Sequence, residues 1–136
     1  MERVSVLVIE DNASEAALIA AALALQPEVQ VIDAPSLPEA LERLQSPSAR
    51  VALAIVGRKA LNNSTGELVG RLGARCVPVV AIAAGVSADA RQRALDVGVR
   101  EIYERPSEWR PYAELIESLV GRFIRRDSPP RPDRTS

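Results

Sequence analysis

Histidine is absent from the 136 residues, and cysteine and lysine occur once each, at Cys76 and Lys59. Without histidine there is no Ser-His-Asp or Cys-His machinery, no phosphohistidine relay and no imidazole-based zinc site. One cysteine excludes internal disulfides and CxxC chemistry, as expected of a reducing compartment. The net charge of −1 supplies no basic field for nucleic acid. Long hydrophobic runs are also missing. The longest, Ala16 to Leu25, is far short of a membrane span. Val6 to Ile9 runs straight into Glu10 and Asp11, so it is no signal-peptide core. These absences point to a cytoplasmic protein. The length suits one domain able to bury a core.

What is present alternates between two periods. Val4–Ile9, Glu28–Asp33, Val51–Gly57, Val77–Ala83 and Arg100–Tyr103 read as strands rich in β-branched residues. Val51–Gly57 is apolar at both parities, which suits a strand covered on both faces. Between them lie helical stretches. The first runs from Asn12 to the stop at Gln26-Pro27. The next starts at Ser36-Leu-Pro-Glu39, with Ser36 as cap and Glu39 three residues on. Arg58 to Thr65 reads as a polar loop before a short helix over 66–72. Ser87 opens another helix, closed by Gly98. The last covers roughly 108–123.

Five βα units in about 125 residues predict an α/β, doubly wound, parallel five-stranded sheet over residues 1–124. The Pro/Arg/Ser-rich segment 125–136 reads as a disordered tail. Ligands of such folds sit at the carboxyl ends of the strands. That singles out Glu10, Asp11, Gly57, Arg58, Ala83, Ala84 and Arg105.

Val6-Leu-Val-Ile-Glu-Asp-Asn12, Val77-Pro-Val-Val-Ala-Ile-Ala83 and Gly98-Val-Arg-Glu-Ile-Tyr-Glu-Arg-Pro106, in that order and spacing, resemble the receiver domains of response regulators. The resemblance spans residues 4–123. It implies a flavodoxin-like (βα)5 fold with strand order 2-1-3-4-5. It also implies a site in which an aspartate after the third strand accepts a phosphoryl group from a histidine kinase. In the family an acidic pair holds Mg²⁺, and a Ser/Thr and a Lys grip the phosphoryl oxygens. Hard oxygen ligands suit Mg²⁺, and cationic donors stabilise phosphoryl charge.

The chain keeps part of that set. Glu10 and Asp11 match the acidic pair and are the candidate metal ligands. The acceptor position falls on Gly57 or Arg58, depending on the register, and no Asp or Glu stands between Glu42 and Glu67. Ala83 takes the hydroxyl position and Ile102 the position of a switching aromatic. Arg105 replaces the Lys, and Arg105-Pro106 is a candidate cis peptide. These departures read as a degenerate receiver with no cofactor, Mg²⁺ being doubtful. Two arrangements of the pocket stay open. Arg58 or Arg105 takes the metal's space beside Glu10 and Asp11, or Arg58 points into solvent.

Other residues have simpler readings. Ser64 and Thr65 suit a helix cap, Asn62-Asn63 a turn, and Cys76 a small core position. The apolar surplus on the first helix suits helix propensity, with a partner surface as the alternative. Tyr103 and Trp109 are the interface candidates, being residue types enriched at hot spots. The resulting expectation is a non-enzymatic signalling module that contacts a protein: a histidine kinase, an effector or a second copy. The alternatives are a true phospho-accepting receiver and a small-ligand-binding flavodoxin-like domain. The last lacks a Gly-rich phosphate loop after the first strand.

Overall fold

A computed structural model describes residues 3–45, 50–63 and 65–125, with only the backbone of residues 62 and 63. Five strands form one parallel sheet: β1 (Val4–Ile9), β2 (Val29–Ala34), β3 (Val51–Val56), β4 (Val79–Ala83) and β5 (Glu101–Glu104). Their order is β2-β1-β3-β4-β5. This is the doubly wound α/β fold that the alternation of periods predicts. Six helices connect and cover it: α1 (Ala13–Leu23), α2 (Leu37–Arg43), α3 (Arg58–Asn63), α4 (Thr65–Gly73), α5 (Ala88–Asp96) and α6 (Trp109–Phe123).

Strand alternation builds two cores. On one face Val6 and Val8 of β1, Leu53 and Ile55 of β3, and Val80 and Ile82 of β4 meet Ile19 and Leu23 of α1 and Ile116 and Leu119 of α6. On the other, Leu7, Ile9, Val56 and Ala81 meet Leu37 of α2 and Leu44 at its end, Leu68 and Leu72 of α4, and Ala94 of α5. A strand buried on both faces has no polar parity, which is why Val51–Val56 carries none.

The caps follow the sequence. Asn12 accepts the Glu15 N–H at 3.0 Å and Ser87 accepts the Ala90 N–H at 3.1 Å. Ser36 accepts from Glu39 at a longer 3.4 Å. Gly98, at φ +114°, ends α5.

Three expectations need correction. The stretch 58–65 is not simply a loop, because α3 begins directly after β3. Leu61 N–H bonds to the Gly57 carbonyl at 3.1 Å, and burial of Leu61 rewards the extra turn. Asn62 and Asn63 are its last residues, and Thr65 donates its hydroxyl back to the carbonyls of Ala60 and Leu61. Cys76 is exposed, not a core residue. It holds the left-handed position (φ +60°) that closes α4, with Val77 N–H bonding back to the Leu72 carbonyl at 2.9 Å, a place usually given to Gly. The Arg105-Pro106 bond is trans, as are all the described peptide bonds. Ser64 and the segment 126–136 read as a tail lie outside the described residues. Among the described residues no helix is long and apolar enough to cross a membrane.

Candidate functional site

The carboxyl ends of β1, β3, β4 and β5 converge on one end of the sheet. There a hollow of about 460 Å³ is lined by Glu10, Asp11, Asn12, Glu15, Arg58, Lys59, Ile82, Ala83, Ala84 and Arg105. A smaller cavity of about 140 Å³ lies beside it, between Glu10, Gly57 and residues Pro35 to Pro38 at the start of α2. Three carboxylates and three cations line the hollow, so its formal charge is balanced.

Backbone pairing decides how these residues meet. Ile9 lies opposite Val56, and Gly57 N–H bonds to the Ile9 carbonyl at 3.0 Å. Gly57 is thus the residue held directly beside Glu10. A Cβ placed on Gly57 would overlap the Glu10 carboxylate. Glu10 occupies the room that a longer side chain on Gly57 would need. Its Oε2 accepts the Asn12 N–H at 3.0 Å.

Arg58 is exposed, and the cation nearest the acidic pair is one that neither arrangement read from the sequence names. The charge beside the acidic pair is Lys59, whose Nζ lies 3.7 Å from Asp11 Oδ2. Arg58 donates from Nη1 to the Ala84 carbonyl at 3.2 Å, tying the start of α3 to the β4–α5 connection. Arg105 pairs with Glu15 on α1, and Tyr112 on α6 donates its hydroxyl to the same carboxylate at 3.5 Å. Neither arginine therefore fills the metal's space beside Glu10 and Asp11. The early start of α3 rotates Lys59 toward Asp11 and Arg58 toward β4. Lys59 and Glu15 are the charged pocket residues that the strand-end argument misses. The signal for Glu15 was its place in the first turn of a helix that starts at the site. Lys59 needed α3 to be recognised as a helix.

Burial, together with the neighbouring carboxylates of Asp11 and Glu15, pushes the Glu10 pKa up from its ordinary value. A carboxyl that binds its proton more tightly in the folded state favours folding at low pH and loses that contribution as pH rises through its folded pKa. Glu10→Gln is therefore expected to raise the melting temperature at pH 7. The advantage should shrink to nothing below the ordinary carboxylate pKa of about 4.3. Paired thermal melts at pH 7 and pH 4 check this. An equal gain at both would mean that packing, not charge, is responsible.

The remaining candidates separate. Ala83 and Ile102 are buried; the Ile102 side chain packs in the core and its carbonyl accepts from Arg91 at 3.0 Å. Tyr103 is engaged within the chain. Its hydroxyl contacts Glu101 and accepts from Arg122 at 2.7 Å. The Arg122 guanidinium and the Tyr103 hydroxyl hold the Glu101 carboxyl below its ordinary range despite its partial burial. Trp109 is 46% exposed and lines a shallow hollow with Leu25, Gln26 and Ala113, between the end of α1 and the start of α6. Among the described residues no group of three or more His, Cys, Asp or Glu is arranged to hold a metal ion.

No protein-family model matches the chain, and no curated protein does so. Solved structures do. The phosphorylated cyanobacterial phytochrome response regulator RcpA superposes with a TM-score of 0.77 at 15% identity, over 93% of this chain and 97% of its own. A response regulator in red light signaling of R. palustris gives 0.75 at 19% identity, over 93% and 98%. A response regulator receiver protein from Burkholderia phymatum gives 0.70 at 26% identity, over 88% and 96%. The fold is that of response regulator receiver domains.

Proposed function

We propose that this chain is a cytoplasmic, receiver-like signalling module that acts by contact with another protein and takes no phosphoryl group on an aspartate. The carrying observation is the pairing of Gly57 with Glu10. Gly57 follows β3 at the place where a receiver's acceptor would stand, and the Glu10 carboxylate fills its side-chain room. Ala83 and Ile102, buried and without hydroxyl or ring, stand as the degenerate switch positions. Arg105 stands for the family's Lys, and it is held by Glu15.

The donor set does not fit the family's Mg²⁺. Two carboxylates, Glu10 and Asp11, follow β1. One leans over Gly57 and the other faces the Lys59 ammonium. A hard dication needs several oxygen ligands, and the Lys59 ammonium beside Asp11 answers one of the two carboxylate charges.

A partner surface is supported by Trp109 and Leu25, which are 46% and 60% exposed and share one hollow. Exposed Trp is a frequent interface anchor. The partner would be a kinase, an effector or a second copy.

The test is incubation with Mg²⁺ and acetyl phosphate, or with beryllofluoride, followed by intact mass and Trp109 fluorescence. No mass gain and no fluorescence change are expected. A phosphorylated species removed by hydroxylamine would overturn the reading in favour of a true phospho-accepting receiver.

A further inference from the structure

Trp109 and Leu25 mark the two ends of one surface strip. α1 and α6 both follow strands of the parallel sheet, so both start at its carboxyl end. Two contacts hold them side by side in the same direction. Tyr112 of α6 bonds to Glu15 in the first turn of α1, and Arg125 beyond α6 bonds to Gln26 beyond α1. Trp109 opens α6 and Leu25 follows the end of α1. Both line a shallow trough of about 380 Å³, with Arg110, Ala113, Glu114 and Glu117 of α6 between them.

Local helix rules do not account for the charges on this strip. Arg110 stands in the first turn of α6, where the helix dipole favours an acid. That turn holds no acidic residue, and the cap Glu108 makes no side-chain cap bond. In α2 and α4 the acid comes first, Glu39 before Arg43 and Glu67 before Arg71, which is the better orientation. In α6 the order is reversed, with Arg110 before Glu114 and Glu117. All three are exposed.

We propose that this trough pairs with the same trough on a second copy, about a two-fold axis crossing α6 beside Ala113. The pairing names the partner within the contact reading above and rests on it. A two-fold axis reverses the strip, so the same patch serves both copies. Arg110 of each copy then meets Glu117 of the other, and Trp109 of each covers Leu25 of the other. The midpoint between positions 110 and 117 falls at Ala113 and Glu114, and the small Ala113 side chain lets the two helices approach. A net charge of −1 leaves two copies little overall repulsion.

The experiment follows sedimentation of the full chain from micromolar to millimolar concentration, with emission of Trp109, the one tryptophan, read alongside. The expected result is a monomer–dimer equilibrium in which the emission moves to shorter wavelength as the dimer forms. Arg110→Glu and Glu117→Arg should each weaken self-association by about tenfold or more, because each sets two like-charge pairs face to face. Mixed together, the two variants should pair with each other. The double variant Arg110→Glu/Glu117→Arg should pair with itself as the wild type does. An acid at position 110 suits the helix start, and circular dichroism checks that each variant keeps its fold. A chain that stays monomeric, a dimer indifferent to either reversal, or reversals that fail to complement each other would overturn the proposal. A monomer whose Trp109 emission moves to longer wavelength when residues 126–136 are removed would assign the trough to that segment instead. Intact mass after acetyl phosphate keeps the two readings apart. A chain that stays monomeric and takes no phosphoryl group loses the second copy alone, whereas one that dimerises only when phosphorylated loses the contact reading beneath it.

Discussion

Gly57→Asp is expected to lower the melting temperature at neutral pH, and Mg²⁺ is expected to restore much of the loss. The wild-type chain should show no Mg²⁺ dependence. The new carboxylate would arrive where the Glu10 carboxylate already lies. Two carboxylates about 4 Å apart repel by roughly 4 kcal/mol at an effective dielectric near 20. Asp11 adds a third. Lys59, 3.7 Å from Asp11, relieves part of this repulsion, and solvent screens more, leaving an expected loss of about 2–3 kcal/mol. At roughly 4 °C per kcal/mol for a domain of this size, the shift is easily read.

The steric share is small and separable. The colliding atom is the far end of the flexible Glu10 side chain, and Gly57 does not have a positive φ. Gly57→Ala should therefore cost about 1 kcal/mol or less as Glu10 swings aside. The charge share has a definite pH sense. Crowded carboxylates have raised pKa values, so the destabilisation appears above the ordinary carboxylate pKa and disappears in acid. Three converging carboxylates are also an oxygen-ligand set for a hard dication, hence the restoration by Mg²⁺. A Gly57→Asp chain as stable as wild type at pH 7, with no response to Mg²⁺, would show that residue 57 does not face the acidic pair. The assignment of Gly57 to the acceptor position would then fall.

The architecture was legible in the sequence because it rests on periodicity. β3 reads as Val-Ala-Leu-Ala-Ile-Val, and Leu53 to Val56 divide alternately between the two cores. Asn12, Ser36, Ser87 and Gly98 mark helix ends through local chemistry that needs no tertiary context. The site was less legible, because it depends on register and on where one helix starts. Gly57 and Arg58 are equal candidates by sequence, and only strand pairing, through the Gly57 N–H···Ile9 bond, shows that Gly57 is the one beside Glu10. The polar stretch from Arg58 hides α3, and with it the turn that brings Lys59 to Asp11 and Arg58 to the Ala84 carbonyl. Glu15 came to the site through Arg105 and Tyr112, the latter 97 positions away in sequence. Cys76 escaped for a different reason. A left-handed helix stop usually advertises itself with glycine, and here a cysteine holds it.

Ile55→Ala should be the most damaging single truncation among those considered. Ile55 lies on β3, the middle strand of the five, and none of its surface is exposed. It packs in the core shared by α1 and α6. Three carbon atoms are lost, worth about 2.4 kcal/mol in transfer free energy at 0.8 kcal/mol each. A cavity adds to that because strands bonded on both sides cannot collapse into it, for a total of about 3–5 kcal/mol. Domains of this kind have roughly 5–15 kcal/mol of stability in all, so the variant should unfold at a much lower urea concentration with its m-value unchanged. Leu25→Ala is the internal control. That leucine is 60% exposed, and its loss should change stability by no more than about 0.5 kcal/mol. The contrast also protects the partner-surface proposal. If Leu25→Ala and Trp109→Ala abolish partner binding while melting like wild type, the effect belongs to the surface. An Ile55→Ala loss under about 1 kcal/mol would mean that α6 closes over the gap. The core under α1 and α6 would then be looser than its burial implies, and so would the platform that presents Trp109.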